Sequence, residues 1–290
     1  MNYVKTGILM LALTALLVFT GHILDNRAGG TGYAFTMLFL LISLGINFGS
    51  YWFSDKIVLS LYKAQPVSER DAPGLYEMTR RITKKAEMPM PRIYICPMDQ
   101  PNAFATGRNP KHAAVCFTRG ILRMLPQRQL EGVLAHEIAH VRHYDTLIMC
   151  MVAAIAGIIM FMSRIVFFSA LFGGRGNNRN NPLGGLFIMI LAPIMALMIQ
   201  MAVSRSREYH ADKEGGNLCG DPNALADALQ TMHSEAKRRS VQTVPATSHL
   251  FIVNPAVGKK AGGFDWFSTH PSVEKRVERL RKQAHRMNMT

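Results

Sequence analysis

The sequence predicts a membrane-embedded α-helical fold with four transmembrane helices, carrying one α+β domain that two separate stretches of chain build together. Three observations lead there. Four apolar segments approach or exceed the roughly 20 residues that cross a hydrocarbon core of about 30 Å. Hydrophobic residues make up 49% of the 290, yet there are 33 Lys plus Arg and a formal net charge of +14. Those charges are segregated, because residues 54–146 and 204–290 hold 14 Lys plus Arg each.

The spans are taken in order. Residues 7–24 (GILMLALTALLVFTGHIL) follow Lys5, which resembles the short basic region of a signal peptide; no A-x-A-like site follows, so the segment reads as an uncleaved anchor. Residues 34–53 form the second span, and 147–172 and 183–203 the third and fourth. Pro193 is tolerated in the fourth as a kink. Arg164 interrupts the third and reads as a helix-packing or snorkelling residue. The connections DNRAGGTGY and GGRGNNRNN are short and carry few charges. Positive charge near a membrane stays cytoplasmic, so both large stretches and both termini are expected inside. The chain then divides into two N-terminal spans (1–53), a first domain part (54–146), a membrane hairpin (147–203) and a second domain part (204–290).

Composition narrows the function classes. The basic excess has no accompanying basic-aromatic module of the kind that binds RNA or DNA, so no nucleic-acid partner is expected. Cys96, Cys116, Cys150 and Cys219 are scattered with no CxxC pair. That fits a reduced compartment and argues against cysteine ligation of a metal.

Within the domain, residues 69–87 carry Leu75, Met78 and Ile82 at helical spacing. MPMPRIYICP and HAAVCFT read as strands, and QPNAFATGRNPK between them as a turn-rich connection. A helix is expected from Pro126 to about His143, another over 222–239, a mobile loop over 254–263, and a last basic helix from Pro271 with Val273, Val277 and Leu280 on one face.

The chemistry sits in His136-Glu137-Ile138-Ala139-His140. On a helix, imidazoles four residues apart project from one face and can share one Zn²⁺, with Glu137 beside them in reach of a bound water. Leu130, Leu134, Ile138 and Val141 form a separate apolar stripe. A hydrolytic zinc site needs three protein ligands and one open position. His143 lies two turns from His136, roughly 10 Å along the axis, so it reads as a helix-end or surface residue. The third ligand comes from elsewhere. In SRSREYHAD, Glu208 and Asp212 are four apart on one helical face, where Glu208 would ligate and Asp212 would accept the second N–H of a ligating His. The other reading is a helix salt-bridged through Arg205 and Arg207. The membrane hairpin favours ligation, since it begins just after His140 and ends just before Glu208.

These segments, together with PNAFATGRNP and FSTHPS, resemble the bacterial integral-membrane zinc metalloproteases of the family that includes the CaaX prenyl endopeptidases. The resemblance covers nearly the whole chain. It implies a thermolysin-like gluzincin fold for the domain, with one Zn²⁺ per chain on His136, His140 and Glu208. It implies Glu137 as the catalytic carboxylate, Asn102 and Ala103 as the segment holding substrate backbone, and His270 as a transition-state stabiliser. A turn asparagine and a helix-capping histidine are the plainer readings of Asn102 and His270. Relatives commonly carry Asn where this chain has His143. The resemblance further implies proteolytic quality control of misfolded or damaged membrane proteins in the bacterial inner membrane, under stress, with polypeptide substrates and the lipid bilayer as partners.

Two other classes compete. A zinc transporter would place ionisable ligands within its spans; here those spans hold only Arg164 and, near an interface, His22. A catalytically inactive scaffold that binds client proteins would have no need of an intact HExxH and Glu208.

Overall fold

The computed structural model describes residues 2–27, 33–145, 205–238 and 271–289, with single helical positions at 148, 152, 155, 158, 159 and 163. The expected third and fourth spans, Arg164, the loop over 254–263 and His270 lie outside the described residues, apart from those helical positions. The chain divides into two compact units: Tyr3–Ser50 with Ile148–Val203, and Tyr51–Leu147 with Ser204–Thr290.

In the first unit, helices α1 (Asn2–Arg27) and α2 (Ala34–Trp52) are both long and apolar enough to cross a membrane. Leu13 and Leu17 of α1 pack with Phe39 and Ile46 of α2, while Leu11, Phe19, Leu41 and Phe48 point outward. Such an apolar exterior would be costly in water and costs nothing against lipid. The pair is tied at both ends by polar contacts. The Asp25 carboxylate accepts from the N–H groups of Phe35 and Thr36, each at 2.9 Å, and so satisfies orphan donors at the start of α2. Nearer the other end, Asn47 Nδ2 donates to Thr14 Oγ1 at 3.0 Å.

The second unit is a small mixed sheet with helices packed on it. Strands β1 (Gln65–Pro66), β2 (Arg92–Cys96), β3 (Ala103–Thr106) and β4 (Ala114–Thr118) take the order β1-β2-β4-β3. β2 and β4 run parallel and the outer pairs antiparallel. Alternation along β4 sends Val115 and Phe117 into the main core and Ala114 and Cys116 into a smaller cluster with Leu59, Tyr62 and Phe104. Leu59 belongs to α3 (Ser54–Leu61). The main core is filled by α4 (Pro73–Lys85), α5 (Arg119–Met124), α6 (Gln127–Arg142), α7 (helical residues 205–219), α8 (Pro222–Arg238) and α9 (Val273–Met287).

β3 replaces part of the expected turn-rich connection. Ala103 and Ala105 have little intrinsic preference for a strand; register against Phe117 and Val115 of β4, with Phe104 packed on the other face, makes it one. Two glycines let the helices approach α6 closely. A Cβ on Gly132 would lie 2.5 Å from the Leu225 nitrogen of α8, and one on Gly215 would lie 2.9 Å from the His136 backbone. α7 therefore runs against the turn of α6 that carries His136.

Candidate metal centre

α6 presents its apolar stripe to the core: Leu130, Leu134, Ile138 and Val141 are all buried. His136 and Glu137 are buried as well, and His140 nearly so. His136 Nε2 and His140 Nε2 stand 3.2 Å apart. From α7, Glu208 places Oε2 at 3.6 Å from His136 Nε2 and Oε1 at 3.5 Å from His140 Nε2. Tetrahedral zinc with bonds of about 2.0–2.1 Å sets its ligand atoms roughly 3.3–3.5 Å apart. The three side chains thus stand as three corners of such a site, and together they could hold a metal ion.

What lies behind the imidazoles supports the same reading. Asp212 Oδ1 is 3.1 Å from His136 Nδ1, and Asp145 Oδ2 is 3.2 Å from His140 Nδ1. A proton on each Nδ1, which the neighbouring carboxylate favours, would leave the Nε2 lone pair of each ring directed at the shared point. Each aspartate is in turn met by an arginine. Arg276 of α9 donates through Nε and Nη2 to both oxygens of Asp212, at 2.8 and 2.7 Å, and its Nη1 lies 3.3 Å from Glu208 Oε2. Arg207 of α7 sets Nε 3.6 Å from Asp145 Oδ1 and donates from Nη1 to the Asp145 carbonyl at 3.3 Å.

The electrostatics fit a dication. Four buried carboxylates, Glu137, Asp145, Glu208 and Asp212, face two arginines, and a divalent ion balances the remainder. Burial alone would raise the Asp212 carboxyl, but the charge and hydrogen bonds of Arg276 together with the His136 contact outweigh it and hold the group below its ordinary value. Glu137 goes the other way. Burial pushes its carboxyl above the usual glutamate value, against the pull of His136 and His140. A carboxylate moved towards neutrality is suited to taking and returning a proton. Its Oε2 accepts from the Ala105 N–H of β3 at 2.9 Å, which orients it.

Of the other residues singled out in the sequence, Asn102 is buried at the start of β3. Its N–H donates to Thr118 Oγ1 at 2.9 Å and its carbonyl accepts from the Thr118 N–H at 2.9 Å. Ala103 follows it in the strand. Asp212 lies beside His136 Nδ1. In the rival reading of that segment, a salt-bridged helix, Arg207 is one of the pairing residues, and here it pairs with Asp145. Sequence reasoning missed Asp145, Arg207 as its partner, and Arg276. Asp145 reaches back to His140 only because the chain turns through Tyr144, whose φ is 59°. Helical spacing carries no signal for that contact.

Comparison with known proteins agrees with this geometry. Residues 69–284 match the model of peptidase family M48. The chain is 49% identical over 288 residues to a protease HtpX homolog of Pelotomaculum thermopropionicum, covering 98% of this chain and 100% of that one. It is 48% identical over 289 residues to the corresponding Burkholderia thailandensis protein, covering 98% and 97%. The crystal structure of S. mikatae Ste24p shares the fold, with a TM-score of 0.55 at 16% identity, over 96% of this chain and 65% of that one. With the histidine pair, the glutamate and the apolar helices already in place, these matches establish that the chain is a membrane metalloprotease belonging to peptidase family M48.

Proposed function

We propose that this metalloprotease is a zinc-dependent endopeptidase of the bacterial inner membrane that cleaves misfolded or damaged membrane proteins as part of a stress response. One observation carries the catalytic part: the nitrogens of His136 and His140 and the carboxylate of Glu208 converge at zinc-ligand spacing, with buried Glu137 beside them. The membrane part draws on two apolar helices among the described residues and on the concentration of 28 of 33 basic residues in 54–146 and 204–290. Four spans, with the gluzincin-like domain and both termini cytoplasmic, satisfy that distribution.

A zinc ion on these ligands would lower the pKa of a bound water and polarise the scissile carbonyl. The chain's own residues do the rest. Asp212 and Asp145 keep the protons on Nδ1 of the two rings and so fix their direction. Glu137, raised by burial and aligned by the Ala105 N–H, takes the proton of the attacking water and delivers it to the leaving nitrogen. β3 lies next to Glu137 at the end of the sheet, which favours an extended peptide running beside Asn102 and Ala103 and held through its main chain. Main-chain recognition leaves side-chain preference loose, as an enzyme acting on damaged proteins requires. The Asn102 main chain is committed to Thr118, which fixes the start of that strand. His270 would steady the developing oxyanion, a role carried by the family resemblance.

Cleavage of unfolded casein by the purified, zinc-loaded protein tests this reading. Glu137→Gln keeps the shape and loses the base, so turnover should fall by about 10²–10⁴-fold with zinc retained. Near-normal turnover in that variant would remove Glu137 from the mechanism. Wild-type protein that holds zinc and cleaves nothing would favour the scaffold.

A further inference from the structure

A second set of metal-type donors stands outside the site just described. His143, His210 and Glu214 bring one ligand atom each to within 4.8 Å of one another. His143 closes the C-terminal end of α6, while His210 and Glu214 are one turn apart on α7, so the set spans two helices. The His143 and His210 rings meet edge to face with centroids 4.5 Å apart. The Glu214 carboxylate is divided between two uses. Oε1 accepts from Arg142 Nη1 at 2.7 Å, while Oε2 contacts His143 Nε2 and lies 3.9 Å from His210 Nδ1. That oxygen and two imidazole nitrogens face one another at the edge of a surface cavity of about 590 Å³, which solvent reaches. No step of the proposed hydrolysis uses these three residues.

We propose that His143, His210 and Glu214 form a second Zn²⁺ site, weaker than the buried one. Two imidazoles and one carboxylate are a donor set that late divalent transition metals favour over calcium or magnesium. Solvent can supply the remaining positions, because the His210 side chain is 59% exposed. Lower affinity follows from the surroundings. Arg142, Lys85 and Lys213 line the same cavity and repel a cation, and Arg142 competes for Glu214. The His143–Glu214 contact must open slightly and the His210–Glu214 separation must close, an adjustment that the exposed His210 side chain can supply.

Position in the fold gives the site its consequence. His143 follows His140 by three residues and His210 follows Glu208 by two. An ion held there fastens α6 to α7 one turn beyond the buried ligands, joining the two stretches of chain that build the domain. Occupancy would therefore raise stability with free zinc, beyond the effect of the buried ion.

The test is a zinc titration of the full-length protein, comparing wild type with His210→Ala and His143→Asn. Each is dialysed against a series of buffered free Zn²⁺ concentrations; zinc per chain is measured by elemental analysis and melting temperature on the same samples. The wild type should pass from one zinc to two as free zinc rises, with a second increase in melting temperature. Both variants should stop at one and show only the first increase. A wild type that stays at one zinc throughout, or variants that still take up the second ion, would overturn the site. A second ion bound with no change in melting temperature would overturn the fastening of α6 to α7. Failure of the buried site would look different, since His136→Ala should lose the tight ion and keep the weak one.

Discussion

The two histidines of the buried centre are backed by the same chemistry built to different tightness. Behind His136 the chain His–Asp212–Arg276 is closed: Arg276 is fully buried, grips both oxygens of Asp212 and reaches Glu208 as well. Behind His140 the chain His–Asp145–Arg207 is looser: the Arg207–Asp145 ion pair is 3.6 Å long and its arginine is partly exposed. The closed chain ties α6, α7 and α9 together, so it carries structure and ligand placement at once. The open one ties the end of α6 to α7 through that longer ion pair, with its arginine 14% exposed where Arg276 is sealed. Burial decides how much the same pair of charges is worth. A buried charge that loses its partner is left uncompensated in a poorly solvating interior, whereas an exposed one is rescued by water.

That contrast can be broken at its strongest point first. Arg276→Ala should cost about 3–5 kcal/mol in unfolding free energy, because Asp212 and Glu208 lose their shared buried cation. Arg207→Ala should cost much less by the same chemical denaturation. Equal losses would mean that burial does not separate the two chains. The aspartates come next. Asp212→Ala should weaken zinc binding by roughly 10–100-fold, and Asp145→Ala should lie at the low end of that range or below it. Competition with a chromophoric chelator measures both, and a larger loss at Asp145 would reverse the ranking.

The smallest effect is expected where an acid–arginine cluster lies at the surface. Asp227 of α8 is paired with Arg128 of α6 and Arg281 of α9, both about half exposed. Burial by itself would raise the Asp227 carboxyl; the hydrogen bonds from Arg128 and Arg281 outweigh it and hold the group below its ordinary 3.8. A folded pKa below the unfolded one adds stability that is present above the unfolded value and lost as pH falls through the folded one. Asp227→Asn should therefore cost about 1 kcal/mol or less at neutral pH, with the gap from wild type closing towards pH 3. A gap that widens on acidification would give the pairing the wrong sign.

How much of this was legible in the sequence depends on how local the cause is. His136, His140, Glu208 and Asp212 could be read because two pairs at four-residue spacing need only a helix to share a face. Asp145 could not, since its approach to His140 depends on a left-handed turn at Tyr144. Arg276 sits between Val273 and Val277 in a strongly basic helix, and a hydrophobic pattern passes over it as one more solvated cation. Its burial is decided by carboxylates on α7, far away in sequence. β3 was hidden for a similar reason: AFAT lacks strand-forming side chains, and pairing with β4 supplies what propensity does not. The core stripe of α6 and the strands β2 and β4, by contrast, announced themselves through periodicity and branched residues.

Glu208 brings the third donor to the candidate metal site from the second stretch of chain. Zinc content after dialysis measures this most directly, with His210→Ala as the background so that only the buried site is counted. The parent should retain one zinc per chain, and adding Glu208→Ala should remove most of it while the fold, followed by circular dichroism, persists. Full zinc retention in that double variant would contradict the account and place the third ligand elsewhere.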